Sequence, residues 1–346
     1  MGLDKASPMP DPVAKTAKPR GNQMSAKHFA TAFTLSATTL GATFGLSDVA
    51  MAEDPIPVSI GLSGWTGFAP LTLAKEAGIF ERNGLNVTLN KIPQASRGLA
   101  LASGQIQCAA TTVETWIVWD ASGVKAKQIF QLDKSHGADG MVVRNDIASI
   151  ADLKGKTIAA SAPGASPYFY LNWILAKNGM SINDVTVVNL EPGPAAQAFV
   201  AGQNDAAMTY EPYLSTVRAA PDAGKIIATT LDYPAVMDTF GCTPEFLAAH
   251  PTVAKALIAS YAEALKMIAD DQTNAYTIMG ADVNQTAEQF AASAGYLEWQ
   301  TPAAAKTFFS GEFTEFSTEA AKILMSAGLI QSAPDIASLY DIQYLE

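Results

Sequence analysis

The sequence predicts an α/β fold of two similar lobes, and three observations carry that expectation. Short apolar runs alternate with helical patterns along most of the chain. A pattern in the first half recurs in the second. The 346 residues, 49% hydrophobic and 16% charged, suit one two-lobed domain or two domains with a sizeable core. The 25 glycines and 19 prolines are ordinary for such a chain, so a disordered, collagen-like or coiled-coil protein is excluded. A net charge of −11 without a Lys/Arg block argues against nucleic-acid binding. Two cysteines, Cys108 and Cys242, are too few for a disulfide scaffold or a four-Cys zinc site. Metal ligands are not clustered, and neither a metal nor a cofactor is expected.

Residues 1–52 read as an address. Met1–Gln23 is rich in Pro, Lys and Ala and has no periodicity. Lys27 then precedes a mildly apolar run, Phe29–Leu46, that ends near Ala50-Met51-Ala52. A basic start, an apolar middle and a small-x-small end make a secretory signal peptide. The run is too short and too rich in Thr, Ser, Ala and Gly to span a membrane. Met24 is an alternative start, which would make 1–23 an N-terminal extension. No Cys follows the run, which argues against a lipid anchor, and there is no twin-Arg pair. The segment holds five basic and three acidic residues, so the mature chain would carry −13 and be soluble, acidic and periplasmic.

The rest alternates. Val58–Leu62 reads as a buried strand, followed by the turn Ser63-Gly64-Trp65-Thr66-Gly67 and a helix over Pro70–Phe80. Leu85–Leu89 is a strand, Ala95–Ala102 a helix, Ile106–Thr111 and Gly140–Arg144 strands. After the turn at Asp152–Lys156 come a strand Thr157–Ala160, a helix Pro167–Asn178, a strand Val185–Leu190, a helix Ala195–Ala201 and a strand Ala206–Thr209. From Pro251 onward the pattern is helical, over Val253–Ala269, Ala287–Leu297, Ala303–Phe309 and Glu319–Ala327. Such alternation predicts parallel sheets covered on both faces.

The recurrence is the most informative pattern. Leu101-Ala102-Ser103-Gly104-Gln105, then Cys108-Ala109-Ala110-Thr111, leads to Glu114. Phe199-Val200-Ala201-Gly202-Gln203, then Asp205–Thr209, leads to Glu211. Both read as helix, Gly stop, strand and carboxylate, with Gly104 and Gly202 as helix C-caps. Each carboxylate then follows the carboxyl end of a parallel strand, where open α/β sheets bind ligands. Two similar lobes would set Glu114 and Glu211 on opposite walls of one cleft.

These residues carry a family resemblance. Gly64–Leu71, Ala74-Lys75-Glu76-Ala77-Gly78-Ile79-Phe80 and Gly84-Leu85-Asn86-Val87 resemble the opening of periplasmic solute-binding proteins of the nitrate/taurine/sulfonate/thiamine-precursor type, which serve ABC importers. Asp152–Lys156 and Asp205-Ala206-Ala207 through Glu211-Pro212-Tyr213 are similar to the same family. The resemblance implies a type II periplasmic-binding-protein fold: two α/β lobes joined by two crossing strands, with the ligand in the cleft. Lobe 1 would be 53–141 plus 236–346, and lobe 2 would be 142–235. The implied partners are a small-molecule ligand and the permease and ATPase subunits of the importer. The chain itself is expected to be a monomer that does not span the membrane. Within the family it looks most like binding proteins encoded beside urea-carboxylase-type enzymes, linked to urea- or guanidine-like compounds.

Matched to the family's cleft loops are Trp65, Thr66 and Gly67; Glu114, Thr115 and Trp116; Ser161, Pro163, Ser166 and Tyr168; and Tyr210 and Glu211. His136, Asp139 and Asp238 fall near the crossings. From these the expected ligand residues are Trp65, Thr66, Gly67, Glu114, Trp116, Ser166, Tyr168, Tyr210, Glu211 and Asp238. The glutamates could instead be helix caps or surface groups, and Tyr168 and Tyr210 could be core. Trp116 and Trp119 lie three apart on one helix, and Trp116 is expected to face the cleft. Trp173 and Trp299 are expected in the core.

An anion such as nitrate, taurine or a sulfonate needs Arg, Lys or a helix N-terminus. The matched loops hold no Arg or Lys, only helix starts after Gly67 and Ser166. They do hold carboxylates and indoles, which suit a planar N–H-rich cation. A small guanidinium-like or urea-like ligand is therefore expected, with a sulfonate, taurine, nitrate or thiamine precursor as the alternative. The resemblance also brings Cys108 and Cys242 close together on lobe 1 strands, as a disulfide or as two buried thiols. A remote alternative is an enzyme on the same fold, with Cys108 as nucleophile and His136 as base. A thiol within an apolar strand is usually inert, however, and no catalytic motif accompanies the pair.

Overall fold

Two mixed β-sheets, built to the same plan, organise the chain. The computed structural model describes residues 54–346, so the expected signal peptide at 1–52 and the extension at 1–23 lie outside the described residues. In chain order the first run is β1 (Ile56–Leu62), α1 (Ala69–Glu76), α2 (Ile79–Arg82), β2 (Leu85–Lys91), α3 (Gln94–Ala102), β3 (Cys108–Thr112), α4 (Val113–Ala121) and β4 (Lys127–Ser135). The second run is β5 (Asp139–Val143), β6 (Thr157–Ala160), α5 (Ser166–Lys177), β7 (Thr186–Asn189), α6 (Pro192–Val200), β8 (Ala206–Tyr210), α7 (Tyr213–Arg218) and β9 (Lys225–Thr229). The chain ends with β10 (Met237–Cys242), α8 (Pro244–Ala249), α9 (Val253–Asp270), α10 (Gln272–Asp282), α11 (Ala287–Ala294), β11 (Leu297–Trp299), α12 (Pro302–Phe309) and α13 (Glu312–Ser326).

The first sheet has the order β11-β4-β10-β3-β1-β2 and the second β7-β6-β8-β5-β9. In each, three parallel strands are followed by one antiparallel strand, β10 against β3 and β5 against β8. That antiparallel strand is always the one that has just crossed from the other sheet, through residues 136–138 or 230–236. The expectation of parallel sheets is thus corrected. Each crossing strand arrives from the other sheet and lies beside the third parallel strand in the opposite direction, so both sheets are mixed. By strand pairing, β5 already belongs to the second sheet at Asp139, slightly before the boundary expected at 142. The recurrence in sequence has a structural counterpart. β3 and β8 hold equivalent places, and Gly104 and Gly202 both end their helices at positive φ, 74° and 84°.

One core packs α1, α9 and α10 on the first sheet, around Phe80, Phe130, Phe240 and Tyr261. A second lies on the second sheet, where Phe169 and Trp173 of α5 meet Phe313 and Phe316 of α13. Trp173 is buried there, as expected. The helix expected over Ala287–Leu297 instead ends at Ala294, before Gly295. Trp299 then sits half-buried on β11, which pairs antiparallel with β4.

Cys108 and Cys242 face one another in register on β3 and β10 and are joined by a disulfide. The pairing settles the two-way expectation and removes the thiol that an enzyme reading would need. The bond closes a chain segment with a separation of 134 residues. Replacing both cysteines by Ala should therefore cost about 2–5 kcal/mol in denaturant unfolding. An unchanged midpoint would mean that the bond adds nothing to stability.

Candidate functional site

The carboxyl ends of the parallel strands in both sheets face each other, and the loops that follow them build the site. After β1 the chain turns through Ser63-Gly64-Trp65 into a short 3-10 turn, Thr66–Phe68. The Trp65 indole N–H donates to Asp133 Oδ1 at 3.1 Å, and its ring meets Tyr210 edge-on at 5.2 Å. Gly67 is required there, because a Cβ would lie 2.3 Å from Asp133 Oδ2 and 2.2 Å from Trp65 Nε1. The Trp299 indole N–H holds this turn from behind, donating to Gly67 O at 3.0 Å.

Three neighbouring strands of the first sheet line up side chains at the same level: Thr112 on β3, Asp238 on β10 and Asp133 on β4. Glu114 follows in the first turn of α4. Asp139 opens β5 opposite Tyr210 on β8. All four carboxyl side chains belong to residues at most 4% exposed, and among the described residues none forms an ion pair. Burial pushes Glu114 up to about 8 and Asp139 up to about 7, the latter helped by the nearby Glu211 charge. Asp133 and Asp238 are adjacent and titrate together. Burial and the charge of nearby carboxylates raise both.

Arg97 is the one buried guanidinium among the described residues, and it is wholly enclosed. Its Nε and Nη2 donate to Ile92 O at 3.3 and 2.9 Å, and its Nη1 donates to Ala110 O. Burial lowers its pKa only to about 10, so it remains charged at neutral pH.

Ser63, Trp65, Gln94, Asp139, Ser166 and Asp238 help to line a cavity of about 20 Å³, with Arg97, Thr112 and Tyr210 also on its wall. This is space for one or two waters, because the two halves are already in contact around it. Gln94 Nε2 donates to Thr111, Thr112 and Thr115 at 2.8, 3.2 and 2.9 Å, while its Oε1 accepts from Ser166 N at 3.0 Å. Thr66 N donates to Glu211 O at 3.4 Å. Several buried polar atoms have no partner here: both Glu114 oxygens, Asp133 Oδ2, Asp139 Oδ2, Thr66 Oγ1, Ser161 Oγ and Ser166 Oγ. With the carboxyl groups ionised, acceptors outnumber donors in this set, which suits a ligand rich in N–H groups.

The structure places Trp65, Ser166, Tyr210 and Asp238 on the cavity wall, with Thr66, Gly67 and Glu114 buried beside it. Three expected residues stand elsewhere. Trp116 packs edge-on to Trp119 at 4.9 Å and against Gly241, within a small cluster that includes Leu101 and Ile106. Tyr168 is half-buried on α5 and is not part of the lining, since two residues along the helix from Ser166 it projects from a different side. Glu211 is turned onto α7. Its Oε2 accepts from Ser215 N and Oγ at 3.1 and 2.7 Å, and its Oε1 pairs with Arg218 Nε at 3.3 Å. His136 is exposed beside Glu298 and takes no part. Sequence reasoning missed Asp133, Gln94 and Arg97. The last two lie three apart on one helix face, and that spacing was the available signal.

The NMT1/THI5-like family matches residues 65–275. A protein named as a binding protein in Brucella abortus (strain 2308) is 29% identical over 236 residues, covering 67% of this chain and 72% of that one. A protein named for aliphatic sulfonate binding in Bacillus subtilis (strain 168) is 35% identical over 156 residues, 42% of this chain and 46% of that one. Among solved structures, the alkanesulfonate-binding protein SsuA from Xanthomonas axonopodis pv. citri, bound to MOPS, aligns with a TM-score of 0.71 at 20% identity. It covers 84% of this chain and 99% of that one, which shows a shared periplasmic-binding-protein fold.

The buried acids have a consequence for stability. Folded, they hold protons up to pH 7–8, whereas unfolded carboxyls release them near pH 4. Between those limits the folded state binds more protons, so stability of the free protein falls as pH rises from about 5 to about 8. Thermal unfolding across that range should show the decline, and Asp139→Asn should flatten it. A level profile in the unmodified protein would mean that these acids are ionised and compensated.

Proposed function

The chain belongs to the NMT1/THI5-like family, and we propose that it is the solute-binding component of an ABC importer, closing on a small, nitrogen-rich cation of guanidinium type. It works outside the cytosol as a monomer and hands its ligand to a permease driven by an ATPase. No described helix is long and apolar enough to cross a membrane. The fold shared with SsuA and the relatives named as binding proteins support the transport role. The bonded Cys108 argues against the thiol chemistry of an enzyme.

One observation carries the ligand class: four buried carboxyl groups cluster at a cavity whose wall, among the described residues, holds a single buried guanidinium. An anion could enter only with these acids fully protonated. A planar cation instead lets Asp139 and Asp238, both on the cavity wall, accept charge-assisted hydrogen bonds. The indole of Trp65 adds about 0.5–2 kcal/mol if the cation lies on its face. The small cavity favours a ligand of few atoms. Contacts from both halves then stabilise the closed form over the open one.

Arg97 on the cavity wall favours a second reading, a small sulfonate or nitrate, in line with the names of some relatives. Calorimetry at pH 8 separates the two, using guanidinium, acetamidinium, urea, methanesulfonate, taurine and nitrate. Guanidinium should bind best. Asp139→Asn and Asp238→Asn should each weaken it about 10- to 100-fold, roughly 1.4–2.8 kcal/mol. Preference for methanesulfonate or nitrate, with both variants unaffected, would establish the anion reading instead.

A further inference from the structure

We propose that Gln94 is a specificity-determining residue whose side-chain amide fills the N-terminus of α5 and thereby denies that position to oxyanions. The assignment builds on the solute-binding reading and concerns what the site rejects. α5 runs for 12 residues from Ser166, with a proline in its first turn and no side-chain cap of its own. Such an end presents free N–H groups and the positive pole of the helix, which together attract oxyanions. Ser166 lies at this end, buried, with its hydroxyl unpartnered and on the cavity wall. Arg97 lines the same cavity and carries the positive charge that an oxyanion would need.

What stands in that place is the Gln94 amide oxygen, 3.0 Å from Ser166 N. Three threonine hydroxyls, Thr111, Thr112 and Thr115, receive the amide N–H₂ on the other side. The amide cannot flip without setting its N–H₂ against the Ser166 N–H, so the oxygen is fixed toward the helix. A neutral acceptor built into the protein thus uses the donor that a sulfonate or nitrate oxygen would take. The carboxyl groups on the remaining wall are then left to select for a cation.

The test uses methanesulfonate and nitrate as probes at pH 6, by calorimetry on the mature protein. Gln94→Ala should bind at least one probe tenfold or more tightly than the unmodified protein does. Gln94→Ser, which keeps a short polar side chain, repeats the measurement in case the alanine variant does not fold. Gln94→Glu should gain nothing, because its own carboxylate occupies the helix end. No gain in a folded Ala or Ser variant overturns the assignment, as does an equal gain in Gln94→Glu. Guanidinium titrations at pH 8 on the same proteins report on the cation reading separately. Loss of guanidinium binding in the unmodified protein would overturn that reading without touching the comparison among the Gln94 variants.

Discussion

Buried carboxyl groups placed side by side need protons or a cation, and much of this molecule is arranged around that need. Asp133 and Asp238 are neighbours across β4 and β10, Asp139 starts the next strand, and Glu114 opens a helix beside them. Their ionisation in an enclosed space would cost far more than the fold could spare. Arg97 offsets part of this, but its donors are held by the backbone of Ile92 and Ala110. The site therefore has an unmet demand for positive charge and for hydrogen-bond donors. The proton is one way to meet it, and a cationic ligand of the kind proposed above would be another.

That demand also explains why part of the sequence was hard to read. β4 has Gln128, Gln131 and Asp133 buried among Ile129, Phe130 and Leu132, so it shows neither an apolar run nor an alternation. Gln128 is matched within the sheet by Thr239 at 2.7 Å, a partnership no local pattern reveals. β10 carries Asp238 for the same reason. By contrast β1, β2, β3, β6, β7 and β8 have ordinary surroundings, and their apolar periodicity placed them well. The strands that the periodicity missed include both that carry the acids of the first sheet.

Among site residues, those just after a parallel strand were legible because the strand end itself predicts a cleft position. Trp65, Ser166 and Tyr210 are of this kind. Glu114 and Glu211 occupy equivalent places after β3 and β8, yet they differ in surroundings. Arg218 and Ser215, a turn or two along α7, draw Glu211 away, while nothing of the sort follows Glu114. Trp116 and Trp119 posed a choice of helix face that Gly241 decides, since the missing side chain there makes the hollow in which Trp116 packs. Such outcomes depend on neighbours distant in sequence.

The disulfide between Cys108 and Cys242 has a mechanical consequence. It fastens the far end of β10 to the rigid centre of the first sheet, so this returning strand cannot slide along its neighbours. Any swing of one half against the other must then be taken up in the short spans at 136–138 and 230–236. If the halves close on a ligand as proposed, the molecule would act as a riveted hinge, with rotation about the pin left free and shear opposed.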